Sequence, residues 1–138
     1  MTSSGPRKDS PMFGSNQVMS SFSSNDIPAA KAFYSDTLGF DVEEQFDGLL
    51  LKFGGGGQAM VYPKDNHEPA TFTVLHIVVD DVEKAVDDLT AKGVTFEQYT
   101  EDPIKTDAKG ISRDLGGAIA WFKDPAGNII GVAEMPTG

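Results

Sequence analysis

The chain contains no cysteine, so disulfides, thiolate nucleophiles, zinc ribbons and iron–sulfur clusters are all excluded. That absence fits a reducing, cytoplasmic setting. Basic residues are also scarce: 11 Lys and Arg stand against 21 Asp and Glu, a formal charge of −10. A surface this acidic repels phosphate backbones and predicts no nucleic-acid partner, while it attracts cations. No apolar run approaches the roughly 20 residues of a membrane span, so no membrane is expected. Residues 1–16 carry Arg7 and Lys8 but no apolar stretch, and read as a polar tail and not a signal peptide.

What is present is a single domain's worth of sequence, 138 residues, with apolar residues at 39%. The expected domain spans residues 17–135, as one module over 17–62 and a second over 71–135. In the first, Gln17–Phe22 reads as a strand. Asn25 and Asp26 cap a helix over Ile27–Leu38, closed by Gly39. Strands are predicted over Phe40–Gln45, Leu49–Phe53 and Gln58–Tyr62, with Asp47-Gly48 and the run Gly54–Gly57 as turns. The glycine run leads into a strand with no Lys-Ser/Thr after it, so it is no phosphate loop. In the second module, Thr71–Val79 is a strand and Asp80-Asp81 cap a helix over Val82–Lys92, closed by Gly93. Strands follow over Val94–Tyr99, Gly117–Lys123 and Ile129–Glu134. The last two are joined by the turn Asp124-Pro125-Ala126-Gly127, and Thr100–Gly116 is a long polar connection.

The order is strand, helix, three strands, twice over, with the helix-opening Asp26 and Asp81 55 positions apart. One helix covers only one face of a four-stranded sheet. The other faces are left to form a cleft, which is the expected ligand site.

Three segments carry a resemblance. They are Asp26 to Gly39 (D-I-P-A-A-K-A-F-Y-S-D-T-L-G), Asp81-Val82 at the second helix start, and Trp121 to Asn128 (W-F-K-D-P-A-G-N). These are similar to the helix and hairpin motifs of the vicinal oxygen chelate superfamily, which includes glyoxalase I, extradiol dioxygenases and bleomycin-resistance proteins. The resemblance implies an α+β fold: two βαβββ modules forming a cup-shaped mixed sheet with two outer helices. It also implies a homodimer.

Enzymes of that superfamily hold a divalent ion with His, Gln or Glu from the first and last strands of each module. Counting about seven residues back from each helix-start Asp gives Met19 and Val74. The late position of the second module is Gly131, and that of the first falls within Ala59–Tyr62. None supplies a carboxylate or imidazole, so no metal and no cofactor is expected. The reading that follows is a metal-independent binder of a small molecule, cationic or aromatic. The alternatives are a lyase, isomerase or dioxygenase with an atypical metal site or His76 as general base, and an interaction module with a vestigial cleft.

Strand alternation selects the residues facing the cleft. Thr73, Leu75, Ile77 and Val79 point to the helix, and Val74, His76 and Val78 to the cleft. Ile119 and Trp121 share one face, with Trp121 placed to stack on a flat ligand. Met19 and Met60 are expected as adaptable walls and Gln58 and Tyr62 as polar contacts. His67, in Asp65-Asn66-His67-Glu68, is read as a solvated loop residue, and Asp80, Asp81, Glu83, Asp87 and Asp88 as a cap and solvated helix face. No catalytic residue is assigned.

Overall fold

The computed structural model describes residues 12–102, 104–114 and 117–134. Residues 1–11 of the expected tail and Met135 of the expected domain lie outside the described residues. The elements are β1 (Ser20–Ser24), α1 (Ile27–Ala32), β2 (Asp41–Gln45), β3 (Gly48–Lys52), β4 (Gln58–Pro63), β5 (Thr73–Val78), α2 (Val82–Ala91), β6 (Ile111–Ser112), β7 (Ile119–Lys123) and β8 (Ile129–Ala133). They form two four-stranded mixed sheets, ordered β1-β4-β3-β2 and β5-β8-β7-β6. In each sheet the first strand lies parallel to the last, and the other pairings are antiparallel. This is the α+β arrangement of repeated βαβββ units that the sequence predicts.

Both helices start where expected. Asp26 accepts from the Ala29 amide and Asp81 from the Lys84 amide, each at 3.1 Å. The first helix ends differently. After Ala32 it widens into a π turn over Phe33–Thr37, closed by the Leu38 amide on the Phe33 carbonyl. The acidic face of α2 is not simply solvated. Glu83 pairs with Arg113 at 3.2 Å and Asp87 with Lys109 at 3.1 Å, which ties the long connection to the helix.

The first strand sits two to three residues later than expected, and the predicted strand Val94–Tyr99 does not form. The outer edge of β7 is only five residues long and is shared. Ile111 and Ser112 pair with Ala120 and Ile119, leaving Phe96 a single bridge to Phe122. The first hairpin is shifted by one residue. Its two left-handed positions are Phe46 (φ 52) and Asp47 (φ 64), and Gly48 already belongs to β3. Gly48 is needed for space, since a Cβ there would lie 2.3 Å from the Val61 carbonyl oxygen.

The helix-facing sides of both sheets share one core. Leu49, Leu51, Ala59 and Val61 supply it from the first sheet, and Ala120, Phe122, Ile130 and Val132 from the second. Phe33, in the π turn, reaches across to Phe122 with ring centroids 6.1 Å apart.

The two modules are locked by a buried polar knot. Tyr34 donates to Asp124 Oδ2 at 2.6 Å. The amides of Ala126 and Asn128 donate to Oδ1, and Asn128 Nδ2 donates both to Asp124 Oδ2 and to the Ser23 carbonyl. Burial, then the Asp124 carboxylate and the hydrogen bond to it, push the Tyr34 phenol far above its ordinary range. The folded state holds that proton more tightly than the unfolded chain. Its stabilising effect is therefore whole below about pH 10 and is lost as pH rises further.

Tyr34→Phe should cost about 1.5–3 kcal/mol in urea unfolding at neutral pH, and should flatten the fall in stability above pH 10. At the hairpin tip Phe46 is 87% exposed, so Phe46→Asn gives up little contact. It should raise stability by up to about 1 kcal/mol in the same assay by easing the left-handed backbone.

Candidate functional site

The faces away from the helices carry the candidate residues. In the second module, Gly131 on β8 pairs with Trp121 on β7 on one side and with His76 on β5 on the other. Residues directly opposite across a sheet share a face. The row Trp121–Gly131–His76 therefore lies on the open face, with a glycine between two ring-bearing side chains. A Cβ on Gly131 would meet His76 Nδ1 at 3.3 Å. The missing side chain leaves a shallow notch that the His76 ring and Thr73 Cγ2, 3.5 Å from that position, lean over.

Trp121 is 7% exposed and its ring is held edge-on by Tyr99, with centroids 5.4 Å apart. Burial of Tyr99, and then the Glu97 carboxylate, raise its phenol above the ordinary value. Together with Phe72, Thr73, Ile104 and Ile129 the pair lines a recess of about 190 Å³. The sequence does not single out Tyr99, Phe72 and Ile104: the first two fall at the ends of predicted strands, but all three lie outside the strands that form, where alternation does not hold. His76 lines a second recess of about 430 Å³ with Leu75, Ile77 and Val78. Its opposite wall comes from the first module, Phe40, Phe53, Gly54 and Gly57. The expected single pocket around His76 and Trp121 is thus two separate recesses, with His76 in one and Trp121 in the other.

The facing of β5 agrees with alternation from Leu75 onward and departs from it before. A bulge between Thr73 and Leu75 turns Thr73, paired with Ile129, to the open face instead of the helix side. In the first module, Met60, Gln58 and Tyr62 alternate with the buried Ala59 and Val61, so they share the open face. Met19 precedes β1 and is 44% exposed. The Gln58 side chain is hydrogen-bonded by Gln17. Neither recess draws on Met19, Met60, Gln58 or Tyr62.

A family model described as the Glyoxalase/Bleomycin resistance protein/Dioxygenase superfamily matches residues 15–132. The chain belongs to this superfamily. No curated protein sequence matches it. Solved structures do. An integron cassette protein from the mobile metagenome of a Halifax Harbour sewage outfall is 16% identical, with 88% of this chain and 99% of that one covered and a TM-score of 0.65. Lactoylglutathione lyase from Agrobacterium tumefaciens is 21% identical, with 88% and 95% covered and a TM-score of 0.61. The antibiotic-binding protein TnmS3 from Streptomyces sp. CB03234 is 24% identical, with 88% and 98% covered and a TM-score of 0.60. At such identities the likeness shows a shared fold, and the fold hosts both catalysts and receptors.

The residues present do not fit the divalent ion that enzymes of the superfamily hold. Met19 offers a thioether, Val74 sits in the β5 bulge, and Gly131 is the floor of the notch. Among the described residues no group of three or more His, Asp or Glu side chains converges. His76 supplies one imidazole, and a hard cation needs several oxygen or nitrogen donors. Among the described residues no helix is long and apolar enough to cross a membrane.

His67 departs from expectation. Instead of being solvated, its ring spans the module junction, with Nδ1 2.5 Å from Ser23 Oγ and Nε2 3.0 Å from the Ala126 carbonyl oxygen. The partners are 44 and 59 positions away, a pairing that only the fold reveals.

Gly131→Ala should press on the His76 ring. The expected outcome is a folded protein about 1 kcal/mol less stable in which the His76 imidazole proton resonances move and those of His67 do not.

Proposed function

We propose that this protein is a metal-independent receptor for a small molecule, held on the open sheet faces of its 17–135 domain. The observation that carries this reading is the pair of recesses in the second module, one walled by Trp121 and Tyr99 and the other by His76. They offer a ligand an indole already braced by Tyr99 in one recess and an imidazole able to donate or accept in the other. An aromatic ligand suits the ring-lined notch, and the −10 charge favours one that is also cationic.

Met60, Met19, Tyr62 and Gln58 form the complementary surface of the first module. Met19, Tyr62, Phe72 and Val78 are exposed apolar groups on or beside the open faces. A second copy of the chain, covering these faces in a homodimer, would enclose the ligand between the modules. The antibiotic-binding TnmS3, of the same fold, supports a receptor without chemistry of its own.

Trp121 is the only tryptophan, so its emission reports the notch directly. Titration with a panel of planar aromatic amines should quench or shift that emission. Binding of the best of them, measured by calorimetry, should be unchanged by a metal chelator and weakened about tenfold or more by Trp121→Ala. An affinity that requires an added divalent ion, or that survives loss of both Trp121 and His76, would overturn the reading.

A further inference from the structure

We propose that Ser23 and His67 form a nucleophile–base pair able to take the acyl group of an ester or the phosphoryl group of a reactive phosphorofluoridate. The argument begins with the hydrogen bonds. A backbone carbonyl only accepts, so the 3.0 Å contact to Ala126 places the ring hydrogen of His67 on Nε2. In the neutral ring Nδ1 then presents its lone pair, and the Ser23 hydroxyl donates to it at 2.5 Å. Nucleophile, base and a third group that orients the base are thereby in sequence, the arrangement that activates a serine.

The rest of the site is fixed as well. The Ser23 carbonyl is held by Asn128 Nδ2 at 2.9 Å, and the His67 amide by the Lys64 carbonyl at 3.1 Å. Ser23 alternates with the core residue Phe22 and registers with Tyr62, which places its hydroxyl on the open face of the first sheet. Ser23 is buried, at 9% exposure, and lines neither recess, so only a small, reactive electrophile is a fit probe of it.

The step balances without a metal or redox partner. Ser23 Oγ attacks the ester carbon while its proton passes to His67 Nδ1. The bond to the alcohol then breaks, and the departing alkoxide takes that proton. Water next attacks the acyl carbon and gives a proton to Nδ1, which returns it to Ser23 Oγ as the acid leaves. Ester and water become acid and alcohol. Trp121 and the notch take no part, so this proposal and the receptor reading can fail separately.

The test is to treat the full chain with diisopropyl fluorophosphate and follow intact mass and peptide maps. The serine oxygen–phosphorus bond forms as the phosphorus–fluorine bond breaks and fluoride leaves. One adduct per chain is expected, on Ser23, absent in Ser23→Ala. It should form about a hundredfold more slowly in His67→Gln, whose amide can still reach the Ala126 carbonyl but has no basic nitrogen. Folding of each variant is checked by circular dichroism. Should His67→Gln fail to fold, the wild-type chain decides alone, because Ser23 must react about a hundredfold faster than the exposed Ser21 two residues away. Absence of an adduct on Ser23, parity with Ser21, or an unchanged rate in folded His67→Gln would overturn the proposal.

Discussion

The buried polar knot that joins one module to the other centres on the carboxylate of Asp124. A buried carboxylate is tolerable only when its lone pairs are met, and here four donors meet them: the Tyr34 hydroxyl, two turn amides and the Asn128 side chain. Tyr34 belongs to the first helix and Asp124 to the last hairpin, 90 positions apart. Asn128 extends the knot to β1 through the Ser23 carbonyl. The motifs that identify the superfamily are therefore more than two local caps and turns. In this chain they are the two halves of one fastening, which explains why they name the fold and leave the chemistry open.

With the helix-facing sides committed to the core and fastened in this way, the opposite faces are free to vary. In the second module that freedom is used by subtraction. The central strand gives up a side chain at Gly131, and the neighbouring strands supply the rings that frame the gap. In the first module the open face carries methionine, glutamine and tyrosine, adaptable side chains with no carboxylate or imidazole among them. Solved structures of this fold include a lyase and an antibiotic-binding protein, so the scaffold by itself leaves the use of those faces open.

Most of the fold was legible because its signals are local. Asp26 and Asp81 announce the helix starts, and Leu49, Leu51, Ala59 and Val61 alternate as a half-buried sheet requires. Legibility failed where local preference lost to tertiary competition. Val94–Tyr99 reads as a strand, yet the short edge of β7 is partly taken by Ile111 and Ser112. Asp47-Gly48 reads as a turn pair, but the glycine is claimed by the close approach of Val61 and the turn falls on Phe46 and Asp47. Of the candidate site, the facing of His76 and Trp121 could be read from alternation. The bracing by Tyr99 and the ring of His67 across the junction could not, since each depends on segments brought together only by the complete chain.

The shared core has a consequence for how such a duplicated architecture can behave. The sequence repeats as two units, but Phe33 of one packs on Phe122 of the other within a continuous apolar interior. Neither half retains a closed interior of its own. Separating them would expose that interior in both at once, so the two halves are expected to unfold in a single transition.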